Sequence, residues 1–438
     1  MTNRTGSYRR VAVAGGVGTF IEVYDLLIYG YLATVLAAQF FPSGDPASAL
    51  LATFAVFAAG AFVRPLGSVL FGHLGDRFGR RFALTFALLL MTAATVAFGL
   101  LPNYAAVGLL APVLVVLCRV VQALSASAEL PGAMLLMLEH APAGRRGLTA
   151  AIANVASVLA TAAAATVSLV LARTLTPVQL ADWGWRVAFL AAAPIGLVGL
   201  YVRTRLLDSP AFVALGELAR AGRTPLVQAL TTAKLGMIVL AVWFAAQTIG
   251  GFTLSVAMPA YLIRTGLSPA DAYTANLAGV LTSAVFAVLG GYLVDRFPLR
   301  RMAIVVMAGV AVTAVPGFLI ITEHRSLTGA VLGQALCSIF LGPAYSVGAV
   351  LAMTWFPTGI RFTAFAVPLG TATAVFGATA PFVSTWLTTV TRSPLAPGWY
   401  LFVAATAATV AVVIGTGRLG QRSFPGSLPR SSDGINSA

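Results

Sequence analysis

Two acidic side chains, Glu22 and Asp25, interrupt the apolar stretch GTFIEVYDLLIYG at residues 18–30. Together with Tyr29 they are spaced i, i+3 and i+7, so the three residues share one face of a helix. An ionised side chain at membrane depth costs about 2.5–3.5 kcal/mol on insertion scales, so such residues face a bundle interior or a wet cavity. Because burial and mutual repulsion both favour the neutral form of one acid, we expect at least one of them to take up a proton near neutral pH.

A second polar face is predicted on a later apolar stretch. Arg119, Gln122 and Glu129 are spaced to share one face of a helix there. Glu129 is a further candidate for carrying a proton, and Arg119 and Gln122 are candidates for binding a polar ligand. Arg64 is a candidate anchor for an anion, because a guanidinium binds a carboxylate through two parallel hydrogen bonds. Structural ion pairing of the acids with Arg64 or Arg119 is the alternative interpretation of these charges.

Long apolar runs carry these residues. Of the 438 residues, 59% are hydrophobic and 9% charged, whereas a soluble chain carries about 25% charged residues. Each run is long enough to cross a hydrocarbon core of about 30 Å as a helix. The predicted fold class is an all-α integral membrane protein with 12 transmembrane helices. The predicted spans are 11–40, 51–75, 82–101, 105–137, 148–172, 187–203, 234–262, 273–294, 302–321, 327–353, 362–388 and 398–416.

The distribution of basic residues predicts the orientation. With the N-terminus inside, 20 Lys and Arg residues fall in cytoplasmic segments and five in external ones, which follows the positive-inside rule. Both termini are therefore predicted to be cytoplasmic, in a multi-pass protein of the cell (plasma or inner) membrane. The net charge of +14 is then explained by topology, and no nucleic-acid partner is expected. The lipid bilayer is the expected surroundings.

An internal repeat divides the chain. GHLGDRFGRR (72–81) closes the second span, and GYLVDRFPLR (291–300) closes the eighth, 219 residues later. We predict an N-terminal six-helix bundle at 1–203, a cytoplasmic linker at 204–233, a C-terminal six-helix bundle at 234–417 and a disordered cytoplasmic tail at 418–438. Two pseudo-symmetric bundles around a central cavity are typical of secondary transporters.

The loop at 72–81 resembles the signature loop of the major facilitator superfamily. Arg119-x-x-Gln122-Ala123-x-x-x-Ser127 is similar to that superfamily's fourth-helix motif. More narrowly, the chain resembles the metabolite:proton symporter family in a series of short motifs along the N-terminal half. These motifs are Glu22-Val23-Tyr24-Asp25-Leu26, Tyr29-Gly30, Phe40-Phe41-Pro42, Val63-Arg64-Pro65-Leu66-Gly67, Ser127-Ala128-Glu129, Gly184-Trp185-Arg186 and Asp208-Ser209-Pro210-x-Phe212.

The resemblance implies a secondary active transporter that imports a small polar metabolite together with a proton by alternating access. The implied substrate is an organic acid or a zwitterionic osmolyte. The proton gradient would drive transport without a cofactor, and the fold would work as a monomer. Glu22, Asp25 and Glu129 are the candidates for proton coupling. The candidates for substrate binding are Tyr24, Tyr29, Arg64, Arg119, Gln122, Trp243, Gln247 and Asn276.

The signature loop predicts a cytoplasmic gate. Asp76 can pair with arginines and accept amide hydrogen bonds at a helix N-terminus, which would hold the two bundles together in one state. Asp295 and Arg296 are predicted to do the mirrored task more weakly. A purely topogenic role of the arginines is the alternative. The full set of candidate gating residues is Gly72, Asp76, Arg77, Gly79, Arg80, Arg81, Glu139, Arg146, Asp295 and Arg296.

The C-terminal half contributes no charge that we would place at mid-depth. Trp243, Gln247 and Asn276 are its hydrogen-bonding candidates, with ordinary helix packing as the alternative for Trp243 and Gln247. No metal site is expected, since the three histidines lie far apart at span ends.

The second candidate function is a proton-coupled exporter, or antiporter, of a natural product or drug-like compound. The fifth span lacks the Gly-Pro-rich motif of such exporters, which favours import. A membrane sensor and an intramembrane enzyme are disfavoured, because no signalling domain and no catalytic cluster are evident.

Overall fold

The computed structural model describes residues 19–78, 80–126, 146–153, 155–205, 231–356 and 358–419. In these ranges the regular secondary structure is helical throughout, without a β-strand. The predicted all-helical class is confirmed. In the N-terminal half, the six predicted spans correspond in order to Thr19–Tyr31 with Ala33–Phe40, Pro46–Phe78, Arg80–Gly99, Leu110–Ala126, Arg146–Ala153 with Val155–Thr174, and Trp185–Leu190 with Ala192–Arg205.

The C-terminal half repeats this order with longer helices, two of which contain a π-helical turn. Its spans, seventh to twelfth, are Lys234–Phe252 with the π turn Thr253–Ala257 and Met258–Arg264, Pro269–Val294, Leu299–His324, Leu327–Trp355, Thr358–Ala372 with the π turn Thr373–Gly377 and Ala380–Thr391, and Ala396–Leu419.

Most of these helices are long and apolar enough to cross a bilayer. Within the described ranges, nine pass by length and composition, and the first span adds a tenth as a pair of helices bent by 67° around Leu32. The third and fourth spans contain the shorter apolar helices Thr85–Gly99 and Leu110–Ala126. A helical multi-pass membrane protein is therefore established, and the count of 12 spans stays a prediction.

An aromatic cluster holds the N-terminal bundle together. Phe98 of the third span stacks on Phe189 of the sixth with ring centroids 4.5 Å apart, and Trp185 packs edge-on against Phe40 at 5.5 Å. All four rings are buried. Such aromatic pairs stabilise beyond the area that they bury, by about 0.5–1.5 kcal/mol each. The cluster therefore fixes the first, third and sixth spans against one another.

The two halves meet along the fifth and eighth spans. At one end, the backbones of Gly147 and Gly291 are in direct contact, which only residues without a side chain allow. Towards the other end, the Tyr273 hydroxyl donates a hydrogen bond to the Tyr31 backbone carbonyl over 2.8 Å, next to the bend of the first span. The eighth span thus contacts the N-terminal half near both of its ends, through the fifth span at one end and the first span at the other.

Candidate functional site

A cavity lies between the two halves and is lined by side chains from six spans. Its volume is about 470 Å³, including the open space at its mouth. Five of the polar residues predicted from the sequence line it together. These are Glu22, Asp25, Arg64, Arg119 and Gln122.

Asp25 is held by three side chains from two other spans. Its Oδ1 atom accepts hydrogen bonds from Thr95 Oγ1 and from Gln122 Nε2, both over 2.7 Å; the Met91 carbonyl, 2.9 Å from Thr95 Oγ1, is a second acceptor for the same hydroxyl. Its Oδ2 atom accepts from Arg119 Nη1 over 3.2 Å. Asp25 is buried, and so are its three partners. Hydrogen bonds to an ionised acceptor are stronger than neutral ones, so this network fixes the third and fourth spans to the first.

The Arg119 guanidinium lies between a carboxylate and aromatic rings. Its carbon Cζ is 4.5 Å from the ring centroid of Tyr29 and 5.4 Å from that of Phe57. Its Nη1 atom also donates to Gln122 Oε1 over 3.0 Å. Ring faces attract a cation, more strongly when water is excluded. The rings therefore help to hold the Arg119 guanidinium beside Asp25.

Glu22 and Arg64 form a second ion pair, with Arg64 Nη1 at 3.1 Å from Glu22 Oε1. The Arg64 side chain is 26% exposed, whereas that of Arg119 is 6% exposed. The structural pairing that we considered as an alternative is therefore observed for both acids, each with a different arginine. Pairing does not exclude a role in coupling, because a proton or a ligand can replace either partner.

The two candidate tyrosines bond to backbone rather than to the cavity. The Tyr24 hydroxyl donates to the Ala188 carbonyl over 2.8 Å, and the Tyr29 hydroxyl donates to the Thr53 carbonyl over 2.9 Å. Both rings are buried, and neither lines the cavity. The geometry gives Tyr29 the task of supporting Arg119. Direct contact of either tyrosine with substrate remains a prediction without a structural counterpart.

The candidates of the seventh span pack inside the C-terminal bundle. Trp243 Nε1 donates to Gln247 Oε1 over 3.2 Å, and the pair lies against Gly348 of the tenth span. Neither side chain lines the cavity. The helix-packing alternative therefore describes their position in this structure.

Asn276 of the eighth span bonds to the backbone of the seventh span at its π turn. Its Nδ2 atom donates to the Leu254 carbonyl over 2.6 Å. Leu254 lies in the π turn, where a backbone carbonyl accepts a hydrogen bond from the N–H five residues later. For the Leu254 carbonyl that residue is Pro259, which has no N–H. Asn276 thus supplies the missing donor. Its position is explained by this bond, away from the cavity lining.

Several lining residues were not predicted from the sequence. The C-terminal half contributes Phe252, Thr373 and Ala378, and the N-terminal half adds Phe57. Thr95, which bonds to Asp25, was also missed. The available signal for Thr95 was a polar residue within an apolar run, but threonine commonly returns its hydroxyl to the backbone of its own helix.

The gating residues are described only in part. Gly79, Glu139 and the coupling candidate Glu129 lie outside the described residues. Gly72, Asp76 and Arg77 belong to the helix of the second span, and Arg80 and Arg81 begin that of the third; their predicted role rests on the sequence alone.

The mirrored copy of the signature loop joins the two halves. Asp295 accepts hydrogen bonds from the backbone amides of Gly147 and Leu148, at 2.8 and 3.1 Å. These amides belong to the first turn of the helix Arg146–Ala153, whose N-terminus favours a negative charge. Arg146 itself is exposed, and Arg296 lies over the Tyr292 ring at 4.0 Å.

No cluster of three or more His, Cys, Asp or Glu side chains that could hold a metal ion occurs in the described ranges. The four charged groups of the cavity are paired with each other, Glu22 with Arg64 and Asp25 with Arg119. This arrangement can bind and release a proton and a charged ligand.

Comparisons with known proteins agree with this architecture. The family model described as "Sugar (and other) transporter" matches residues 11–233. The inner membrane metabolite transport protein YhjE of Escherichia coli (strain K12) is 34% identical over 395 residues, covering 87% of this chain and 88% of that protein. The proline/betaine transporter of the same strain is 28% identical over 439 residues, covering 98% of this chain and 87% of that protein.

The fold also has close counterparts among solved structures. A crystal structure of a D-xylose-proton symporter superposes with a TM-score of 0.73 at 18% sequence identity, covering 93% of this chain and 96% of that chain. Fold and site thus define a membrane transporter of the major facilitator superfamily, not an enzyme. Within that class, the chain belongs to the sugar (and other) transporter family.

The Thr95 hydroxyl provides a test of the Asp25 network. Thr95→Val keeps the shape of the side chain and removes a donor to a buried carboxylate, which costs about 1–3 kcal/mol. We expect a lower apparent melting temperature of the purified protein in detergent. Thr92→Val is the matched control, since Thr92 lies on the same helix and bonds to the Leu88 carbonyl. Equal melting temperatures of the two variants would contradict the network.

Proposed function

We propose that this protein imports a small polar metabolite together with protons, and that Asp25 carries the proton. The substrate is an organic acid or a zwitterionic osmolyte. The observation that carries the proposal is the position of Asp25, which lines the cavity and is bonded to Thr95, Gln122 and Arg119 at the same time. A change of the protonation state of Asp25 therefore alters hydrogen bonds between the first, third and fourth spans.

The charge balance of the cavity gives a physical reason for coupling. Its lining carries two acids and two arginines, which sum to zero when all four are ionised. A proton on Asp25 leaves Arg119 without its counter-charge and gives the cavity one net positive charge. An uncompensated buried charge costs several kcal/mol, so proton uptake favours the entry of a negative group. A substrate carboxylate supplies such a group.

The names of two relatives support a charged substrate. The Escherichia coli relative that is similar over nearly the whole chain is a proline/betaine transporter, and a Staphylococcus aureus relative at 30% identity is a putative one. The resemblance to the xylose symporter is one of fold. Export of a drug-like compound is the less favoured function, because these relatives are transporters of small polar metabolites.

Alternating access is proposed to act through the fifth and eighth spans. With cytoplasmic termini, the bond of Asp295 to the Gly147 and Leu148 amides closes the cytoplasmic end. Arg173 and Thr274, 3.5 Å apart, lie at the external end of the same helix pair. Opening towards the cytoplasm requires Asp295 to leave the amides. The protein acts as a monomer in the cell membrane, driven by the proton gradient without a cofactor.

Uptake into proteoliposomes that contain a lumenal pH dye tests the coupling role of Asp25. The substrate panel holds tricarboxylates, dicarboxylates, shikimate-like acids, proline and betaine. We expect one class to acidify the lumen, and Asp25→Asn to reduce this acidification to the level of protein-free liposomes, because the proton site is lost. Asp182→Asn, at an exposed acid, is the control and should behave as the wild type.

Two outcomes would contradict the coupling proposal. Substrate uptake without proton movement would make the protein a facilitator. Substrate-driven acidification that survives in Asp25→Asn would move the proton site to another residue.

The Asp295 contact is tested by spin labels at the cytoplasmic ends of the two halves. Labels replace the exposed residues Tyr201 and Arg301, in a background without the native cysteines. Asp295→Asn weakens the acceptor of the two amides, so we expect the distance distribution between the labels to shift to longer values in double electron–electron resonance. Asp271→Asn, at the opposite end of the same helix, is the control. Unchanged distances in Asp295→Asn would exclude a closing role.

A further inference from the structure

The two ion pairs of the cavity differ in what surrounds them. Asp25 and Arg119 are buried among Thr95, Gln122 and two aromatic rings, and their side chains are 7% and 6% exposed. In the other pair the Glu22 side chain is as buried, at 6% exposed, but that of Arg64 is 26% exposed, and both residues line the cavity. A ligand that enters the cavity therefore reaches the Glu22–Arg64 pair more easily than the Asp25–Arg119 pair.

The remainder of the lining offers few neutral hydrogen-bonding groups. Among the described lining residues, Gln122 and Thr373 carry uncharged polar side chains. The Gln122 amide already donates to Asp25 and accepts from Arg119. The other members are the four charged residues, which are paired with each other, and apolar residues or glycine. A polyhydroxylated ligand would find few neutral hydrogen-bonding partners here, and each of its groups left unsatisfied would cost about 1–3 kcal/mol. The lining thus disfavours a sugar.

We propose that a zwitterion docks on the Glu22–Arg64 pair by exchanging partners with it. This inference deepens the proposed function and rests on it. The substrate carboxylate takes the place of Glu22 on Arg64, and the cationic nitrogen takes the place of Arg64 at Glu22. Each charge of the ligand and of the Glu22–Arg64 pair keeps a partner of opposite sign, so the exchange itself leaves no unpaired ion, and the Asp25–Arg119 pair takes no part in it.

Substrates of other charge lack this balance. An anion that occupies Arg64 deprives Glu22 of that cation, and a cation that occupies Glu22 does the same to Arg64. Truncating one partner of a buried charge pair costs about 2–5 kcal/mol, mainly because the other charge remains. The pair therefore selects the zwitterion over either singly charged analogue of the same shape.

Two aromatic rings specify the cationic end further. Phe57 of the second span and Phe252 of the seventh meet edge to face with ring centroids 6.1 Å apart, and both line the cavity. Ring faces attract alkylated ammonium groups, and Phe252 is the better candidate for this contact because the Phe57 ring already lies 5.4 Å from Arg119 Cζ. Because the two rings belong to different halves of the protein, a ligand that contacts both rings links the two halves. The preferred class is a zwitterion whose nitrogen carries alkyl substituents.

Isosteric ligands test this proposal on the unmodified full-length protein. The first set is glycine betaine, its anionic carbon isostere tert-butylacetate, and the cation choline. The second set is L-proline, cyclopentanecarboxylate and prolinol. Binding is measured by isothermal titration calorimetry in detergent. We expect a zwitterion to bind at least about tenfold more tightly than its anionic and cationic counterparts. Binding of an anionic isostere with equal or higher affinity, or no binding of either zwitterion, would overturn the proposal.

Charge-neutral variants assign the two ends of the ligand. Glu22→Gln is expected to move the preference from zwitterion to anion by at least about tenfold, and Arg64→Gln to move it towards the cation. Arg64→Lys keeps the charge and should retain the preference for the zwitterion. Arg264→Gln, at an exposed arginine, is the control. If Glu22→Gln and Arg64→Gln lower the affinity for all ligands of a set equally, the pair does not distinguish ligands by charge and the proposal is wrong.

The outcomes separate this inference from the proposed function. Zwitterion binding with the expected variant pattern, but without proton movement in liposomes, would retain the docking site and remove proton coupling. Proton-coupled uptake of an organic acid, with neither zwitterion bound, would retain the transport mechanism and remove the docking proposal.

Discussion

The ion pair between Asp25 and Arg119 is the constraint on which the site depends. The two side chains are buried in a chain segment surrounded by apolar residues, where each unpaired ion would cost several kcal/mol. Pairing them requires the first and fourth spans to pack face to face. Thr95 brings the third span into the same contact. One carboxylate thus sets the relative position of three helices.

The two halves of the protein divide the chemistry between them. The N-terminal half supplies all four charged groups of the cavity, and the C-terminal half closes it with Phe252, Thr373 and Ala378. All three lie in or directly beside π-helical turns, as Phe252 precedes Thr253–Ala257, Thr373 begins Thr373–Gly377 and Ala378 follows it. Such turns occur frequently at functional sites of α-helices. The C-terminal wall of the cavity is thus made where its helices are irregular.

The positions of the charged residues were predictable from the sequence. An ionised side chain in an apolar span must face the protein interior, so Glu22, Asp25, Arg64 and Arg119 had to converge. Pairing of the acids with Arg64 or Arg119 was an alternative from the sequence, but which acid pairs with which arginine was not predictable. Glu22 and Asp25 share a helix face, yet each bonds to a different arginine because the second and fourth spans approach that face at different points.

Neutral polar residues were harder to place. Tyr24, Tyr29 and Asn276 each donate a side-chain hydrogen bond to a backbone carbonyl. Every residue has such a carbonyl, so the spacing of residues in the sequence does not predict these bonds. The aromatic wall of Phe57 and Phe252 was missed for a related reason, since phenylalanine is common at every buried and lipid-facing position of such a chain. The bend at Leu32 was not predicted either; Gly30, two residues before it, packs closely against Val256 of the seventh span.

The central claim is that Asp25 is the group that gains and loses the proton. Infrared difference spectroscopy of the purified protein, titrated from acid to neutral pH, measures this directly through the C=O stretch of a protonated carboxylic acid. The account predicts a titrating band that disappears in Asp25→Asn and persists in Glu22→Gln. A band that persists in Asp25→Asn and disappears in Glu22→Gln would contradict it and assign the proton to the other ion pair.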